Sequence, residues 1–223
     1  MKTLLFAGSV SLVVSLVGTR YLIHLLIRLR IGQPIREDGP QGHSTKAGTP
    51  TMGGLAIVGG AVLGYVVSDI SQSRIITSSG LVVMFVIIGA GAVGLMDDWI
   101  KVVKERNLGL NKRAKILGLL VVAIGFAVLA LETTPVHTEL SITRYDSIGV
   151  DLGQFGWMVW AVLLVLGTTN AVNLTDGLDG LAGGSGALAF FAFVFIDFWA
   201  FRHPATYDIP HALDLAVVAV AMA

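Results

Sequence analysis

The amino-acid sequence predicts an all-α integral membrane protein, built as a polytopic helical bundle. Of its 223 residues, 54% are hydrophobic and only 13% are charged, and the mean hydropathy is +0.79. A soluble domain usually has about a quarter of its residues charged. The apolar residues also fall in runs that approach the roughly 17–25 residues a helix needs to cross a bilayer. Because backbone polar groups find no water in hydrocarbon, such spans must be helical. A single oily soluble domain is the alternative that these runs disfavour.

Seven apolar runs follow one another in what we predict to be a single transmembrane domain, 1–223. Six serve as full spans, and the seventh is a stub too short to cross. The runs are about Leu4–Ile27, Thr51–Val67, Ile75–Met96, Ala114–Leu131, Phe155–Thr169, Ser185–Phe201 and Ala212–Ala223. The first run could pass for a signal peptide, but it continues past any small-residue cleavage site and is predicted to be retained. The stub predicts that the domain is truncated at its C-terminus.

The distribution of basic residues predicts the orientation in the membrane. Ten of the fifteen Lys and Arg residues lie in two connections, between spans one and two and between spans three and four. Those connections share a side, and the positive-inside rule places them in the cytoplasm and the N-terminus in the periplasm. By alternation the loop 170–184 is also cytoplasmic. The longest external connection, 132–154, alternates apolar and polar residues around Leu140 and Val150, which predicts a small hairpin at about 138–153.

Two adjacent carboxylates, Asp97 and Asp98, close the third predicted span. Carboxylates near a bilayer are costly, which makes them candidates for function. One interpretation is a solvated helix end, with Asp97 paired to Lys101 four residues later. The other is a working pair, because adjacent side chains on a helix point about 100° apart. One carboxylate could then bind a metal ion while the other faces a substrate.

A polar strip is predicted at the cytoplasmic end of span five. Asn170, Asn173, Asp176 and Asp179 recur at every third residue, so on a helix they would lie side by side. Interleaved glycines such as Gly180 allow the backbone to approach a ligand closely. The alternative is that Asn, Asp and Gly only form turns here.

The first cytoplasmic loop, 32–54, combines proline and glycine with groups that could meet phosphate oxygens, notably Lys46 and Thr51. The alternative is an ordinary basic loop resting on anionic headgroups. Carboxylate oxygens suit Mg²⁺, which is usually held by one or two carboxylates plus substrate phosphates. Lys46 and Lys115 could offset the remaining phosphate charge. Together the three loops predict a magnesium-dependent enzymatic site for a phosphorylated substrate. Nothing resembles a nucleotide-binding P-loop, a zinc cluster or a nucleic-acid module, and no nucleic-acid partner is expected.

Four stretches carry a resemblance to a known family. They are Gln33–Pro40, Lys46–Gly54, Asp97–Asp98 with Lys101 and Asn107–Leu110, and Gly167–Ala182, which contains Asn-Ala-Val-Asn-Leu-Thr-Asp-Gly-Leu-Asp-Gly. These stretches resemble the phospho-N-acetylmuramoyl-pentapeptide transferase family of the polyprenyl-phosphate sugar-1-phosphate transferase superfamily. The resemblance implies a ten-span enzyme of the bacterial cytoplasmic (inner) membrane with its active site on the cytoplasmic face. Its implied partners are UDP-MurNAc-pentapeptide, undecaprenyl phosphate and membrane lipids. The implied products are lipid I and UMP, the implied cofactor is Mg²⁺, and a homodimer is left open.

The resemblance also implies roles for individual residues. Lys46, Asp97, Asp98 and Lys115 match catalytic positions. Substrate-binding positions are matched by Thr51, Asn170, Asn173, Asp176 and Asp179, and metal-binding positions by Asp97, Asp98 and Asp176. Trp99 stands where many relatives carry tyrosine. A further metal-binding aspartate and a histidine-rich loop of the family are absent from these 223 residues, so we expect this piece alone to be inactive.

Two other functions compete with this interpretation. A sister enzyme transfers GlcNAc-1-phosphate from UDP-GlcNAc to undecaprenyl phosphate, although the stretches 46–54 and 170–179 favour the muramoyl branch. A secondary transporter would also carry intramembrane carboxylates. Transporter sites usually lie near the bilayer midplane, whereas the acidic residues here lie at span ends.

Overall fold

The computed structural model describes residues 1–29, 52–72, 76–104, 109–140, 149–176 and 180–223. Eight helices and two short strands occur in these ranges. They are α1 Lys2–Arg28, α2 Gly54–Ser71, α3 Ser78–Val103, α4 Lys112–Thr133, β1 Glu139–Leu140, β2 Val150–Asp151, α5 Gly153–Thr175, α6 Leu181–Arg202, α7 Pro204–Tyr207 and α8 Ala212–Met222.

Six of the described helices, α1 to α6, are long and apolar enough to cross a membrane. The prediction of six helices of membrane-spanning length and a shorter seventh apolar segment is therefore confirmed for the described residues. The helices run back and forth between two ends of the bundle. We call the end where α3 stops and α4 starts the site end, and the opposite end the hairpin end. The orientation of these ends in the membrane stays a prediction.

Two helices continue well past their predicted ends. Helix α3 reaches Val103, so the prediction that Asp97 and Asp98 close the span was wrong: both lie within the helix. Helix α5 reaches Thr175, so Asn170 and Asn173 are helical rather than part of a loop. Hydropathy marks only the part of a helix that suits hydrocarbon, while the backbone hydrogen-bond ladder extends into the interface.

The predicted hairpin is confirmed in the part of it that is described. Strands β1 and β2 are antiparallel, with Glu139 opposite Asp151 and Leu140 opposite Val150; residues 141–148 lie outside the described ranges. The Asp151 carboxylate accepts hydrogen bonds from the Gly153 backbone N–H at 2.9 Å and from the Thr138 hydroxyl at 2.7 Å. These donors, the Gly153 amide first, hold the pKa of Asp151 below its usual range.

Helices α1 and α2 pack closely through small residues. A Cβ atom added to Gly64 would lie 2.8 Å from the Ala7 backbone oxygen, and one added to Gly60 would lie 3.0 Å from the Ser11 backbone oxygen. This four-residue spacing of glycines is typical of tight helix pairing in membranes. The Ser11 hydroxyl also donates to the Ala221 carbonyl of α8 at 2.5 Å.

The core lies toward the hairpin end, where α1, α2, α3 and α8 meet around residues such as Leu4, Met84 and Val217. It encloses a polar group, Asp214, which is 1% exposed. Oδ2 of Asp214 accepts hydrogen bonds from the Tyr65 hydroxyl at 2.8 Å and the Thr77 hydroxyl at 2.5 Å. A carboxyl group in an apolar core needs such partners, and these tie α8 to α2 and to the start of α3.

Candidate active site

The two adjacent carboxylates of α3 converge on one lysine. The Lys101 ammonium lies 2.7 Å from Asp97 Oδ2 and 2.8 Å from Asp98 Oδ1. Lys101 is four residues from Asp97 and three from Asp98, so both aspartates are its neighbours on the same helix. The Asp97 side chain is 12% exposed and that of Asp98 is 31% exposed. The two negative charges are therefore held together by a shared cation.

The second oxygen of Asp97 is bound by the segment that leads into α4. The Leu110 backbone N–H donates to Asp97 Oδ1 at 2.8 Å. The next residue, Asn111, caps α4 by accepting the Ala114 N–H at 2.6 Å, as expected of a residue in this position. Asp97 is thus fixed on one side by its own helix and on the other by the start of α4.

Helices α4 and α5 are linked at the same end of the bundle. The Lys115 ammonium, one turn into α4, donates a hydrogen bond to the side-chain oxygen of Asn173 on α5 at 3.2 Å. Lys115 also attracts the Asp97 carboxylate electrostatically. Charged or polar groups from α3, α4 and α5 therefore meet in one region, although they are up to 76 residues apart in the sequence.

A cavity of about 850 Å³ opens beside this region. Lys115, Asn173 and Asp176 line its site end, together with the glycines Gly54 and Gly183, and apolar residues such as Leu119 and Phe190 line its deeper part. A cavity that is polar at one end and apolar toward the middle of a membrane bundle suits a ligand with a charged head and an apolar tail.

Comparison with known proteins identifies the family. The sequence model of glycosyl transferase family 4 matches residues 80–223, and phospho-N-acetylmuramoyl-pentapeptide-transferase signature 1 matches residues 46–58. Curated relatives with the name phospho-N-acetylmuramoyl-pentapeptide-transferase are 44% identical to the chain in Streptomyces griseus and in Streptomyces avermitilis. Both alignments cover 100% of this chain, and they cover 67% and 66% of the relatives. The chain belongs to the phospho-N-acetylmuramoyl-pentapeptide-transferase family. It spans about two thirds of the length of these relatives.

The structure describes some of the remaining residues for which the family resemblance implies a role. Asp176 is the C-cap residue directly after α5, is exposed and lines the cavity. Asn170 is exposed, and its side-chain amide donates back along α5 to the Leu166 carbonyl at 2.7 Å. Asn170 is thus turned along its own helix, whereas Asn173 reaches across to α4. Lys46, Thr51 and Asp179 lie outside the described residues, so the roles that the family resemblance implies for them stay predictions.

The magnesium site of this family member also stays a prediction. In the described part of the chain, no three His, Asp or Glu side chains come together as a ready metal cluster. Asp97, Asp98 and Asp176 do provide the carboxylate oxygens that Mg²⁺ prefers. The Lys101 ammonium already offsets the negative charge of two of these carboxylates, Asp97 and Asp98.

Two groups at the site were not among the predicted catalytic residues. Lys101 was predicted as a helix-end partner of Asp97 and as part of a stretch that resembles the family, but not as a site residue. Its spacing of three and four residues from the two aspartates was the signal for its double contact. The Leu110 N–H belongs to the backbone, so no residue type in the sequence signals its bond to Asp97.

Proposed function

We propose that the protein transfers phospho-MurNAc-pentapeptide from its UDP carrier to undecaprenyl phosphate, producing lipid I and UMP. The names of the relatives support the transferred group, phospho-N-acetylmuramoyl-pentapeptide, and the alignments with these relatives cover the whole of this chain. The observation that carries the proposal within the structure is the meeting of Asp97, Lys115 and Asn173 at one end of a membrane bundle. That position suits a reaction between a water-soluble nucleotide and a lipid phosphate.

The reaction exchanges one phosphoanhydride for another. An oxygen of the lipid phosphate forms a bond to the phosphorus that carries the sugar, and the bond between that phosphorus and UMP breaks. Little covalent chemistry is required of the protein, so catalysis consists mainly of positioning and of stabilising negative charge. Lys115, which is hydrogen-bonded to Asn173, would offset phosphate charge, and Asp97 and Asp98 would supply the acidic pair.

We propose that Asp97, Asp98 and Asp176 hold Mg²⁺ when substrate is bound. The ion would neutralise charge on the pyrophosphate. The chain's own contribution is to keep these carboxylates near the phosphate-binding lysine. We also propose that the site end faces the cytoplasm of a bacterial inner membrane, because the basic connections lie at that end.

A donor-exchange assay on the full-length protein tests this function. Purified protein is given undecaprenyl phosphate and Mg²⁺ with either UDP-MurNAc-pentapeptide or UDP-GlcNAc, and UMP release and lipid product are measured. We expect lipid I from the first donor and no product from the second. Product from UDP-GlcNAc alone would assign the protein to the sister branch.

A variant control separates enzyme from transporter. Asp97→Asn should abolish lipid I formation if Asp97 belongs to the reaction site. If Asp97→Asn forms lipid I at the full rate, the Asp97 carboxylate has no role in the transfer reaction. The transporter hypothesis would then be tested for this residue.

A further inference from the structure

Residues 109–111, which lead into α4 and are called the lead-in segment below, pass Asp97 at very close range. A Cβ atom added to Gly109 would lie 2.5 Å from the Asp97 backbone oxygen and 2.7 Å from Asp97 Cγ. Real Cβ atoms do not approach heavy atoms this closely, and the backbone oxygen cannot move without bending α3. Only a residue without a side chain lets the lead-in segment pass here.

The close passage has a direct effect on Asp97. It brings the N–H of the following residue, Leu110, to 2.8 Å from Asp97 Oδ1. Oδ2 of the same carboxylate faces Lys101 at 2.7 Å. Each oxygen therefore has its own donor, one from α3 and one from the lead-in segment, and this fixes the plane of the carboxylate. Hydrogen bonds to a charged acceptor are among the stronger ones in proteins.

The lead-in segment also sets where α4 begins. Asn111 caps the helix, and the Lys115 N–H donates to the Asn111 carbonyl at 3.0 Å in its first turn. A displacement at position 109 would therefore move the acidic group and the phosphate-binding lysine relative to each other.

We propose that Gly109 is a positioning residue of the active site, acting through the Leu110 N–H on the Asp97 carboxylate. This inference rests on the function proposed above. Gly109 touches no substrate, and its role is to allow the approach that fixes Asp97.

The test compares two glycine-to-alanine variants in the intact protein. Gly59 lies on α2, and a Cβ atom added there would meet nothing within 4 Å, so Gly59→Ala is the matched control. Gly109→Ala should lower kcat roughly 10- to 100-fold, the loss expected when one charge-assisted hydrogen bond is removed. The KM for the nucleotide donor should change by less than about threefold, because uniform binding is not lost. Gly59→Ala should keep the kcat of the unaltered protein.

A second measurement does not depend on activity. Leu110→Pro removes the N–H, whereas Leu110→Ala keeps it and loses only the side chain. Thermal unfolding of the detergent-solubilised protein is followed for Leu110→Pro and Leu110→Ala, each with Asp97 intact and with Asp97→Ala. Leu110→Pro should lower the melting temperature more when Asp97 is present than when it is absent, and Leu110→Ala should show no such coupling.

The outcomes separate this inference from the proposed function. Transfer activity that is unaffected by Gly109→Ala, or additive melting shifts for Leu110→Pro and Asp97→Ala, would overturn the positioning role while leaving the proposed function intact. If the unaltered full-length protein makes no lipid I, the proposed function fails. The melting cycle then still decides whether the lead-in segment holds Asp97.

Discussion

The Lys115 ammonium on α4 donates a hydrogen bond to the Asn173 side-chain oxygen on α5, across 3.2 Å. Both side chains line the cavity. Lysine side chains are flexible and lose entropy when held in one geometry. The hydrogen bond to Asn173 therefore restrains the Lys115 side chain, which is proposed to bind a substrate phosphate.

Removal of this acceptor should weaken catalysis through Lys115. We expect Asn173→Ala to lower kcat/KM by about 10- to 100-fold, the range for loss of a hydrogen bond to a charged group. Combined with Lys115→Ala, it should add little further loss, because the two side chains act together. Steady-state kinetics of the four proteins in this cycle measures the coupling. Fully additive losses would show that Asn173 acts independently of Lys115.

Loss of Lys101 should lower the stability of the protein. Lys101→Gln leaves Asp97 and Asp98 side by side without their shared cation, at a cost of about 1–3 kcal/mol after allowance for partial exposure. Chemical or thermal unfolding in detergent measures this cost. Lys104→Gln is the matched control, since Lys104 is an exposed lysine at the end of the same helix and should unfold like the unaltered protein. Equal stability of both variants would contradict a structural role for the double contact.

Removal of divalent cations should stop the proposed reaction. Treatment with EDTA is expected to abolish UMP release, and addition of Mg²⁺ in excess should restore it, because carboxylate sites with substrate phosphates bind this ion reversibly. Asp98→Asn should raise the Mg²⁺ concentration needed for half-maximal activity. Activity that persists in EDTA would exclude a role for Mg²⁺ in the transfer.

The buried group Asp214 should be sensitive to the loss of its donors. Tyr65→Phe removes one hydroxyl that bonds Asp214 Oδ2, which we expect to reduce the free energy of unfolding by about 1–3 kcal/mol. Tyr21 is 73% exposed on α1, so Tyr21→Phe is a control that should have almost no effect. Thermal unfolding in detergent compares the two. Equal melting temperatures would show that the hydroxyl contact contributes nothing to stability.

Position 180, directly before α6, should require glycine. Gly180 precedes α6 with φ at +78°, a left-handed conformation that costs other residues roughly 1–2 kcal/mol. Gly180→Ala should therefore destabilise the protein by about that amount. Gly184→Ala, inside α6 with nothing within 4 Å of an added Cβ, should be neutral or stabilising because alanine favours helix. Unfolding measurements on both variants check the difference, and equal effects would contradict the backbone argument.

The sequence was sufficient for the parts of the fold that hydropathy controls. The six long apolar helices and the short apolar segment follow from composition, because a bilayer requires helices of this length and character. The hairpin follows from the alternation of apolar and polar residues. The ends of α3 and α5 could not be read this way, since Val103 and Thr175 lie beyond the apolar runs. A helix ends where its backbone hydrogen bonds end, which hydropathy does not report.

The candidate site was predictable by residue type and less so by contact. Asp97, Lys115 and Asn173 were identified from chemistry and resemblance, but their contacts depend on how α3, α4 and α5 pack. The Leu110 N–H could not be predicted, because every residue except proline offers the same donor. Spacing alone could not predict that Lys101 contacts both aspartates, because the contact also depends on the side-chain rotamers of all three residues.

The close contact between α1 and α2 at Gly60 and Gly64 also affects the position of other parts of the bundle. A methyl group added at either position, as in a glycine-to-alanine substitution, would push α1 away from α2. Ser11 of α1 lines the cavity and bonds α8, so the wall of the cavity would shift with it. Two hydrogens in place of methyl groups thus help to set the width of the cavity in which the lipid and the nucleotide are proposed to meet.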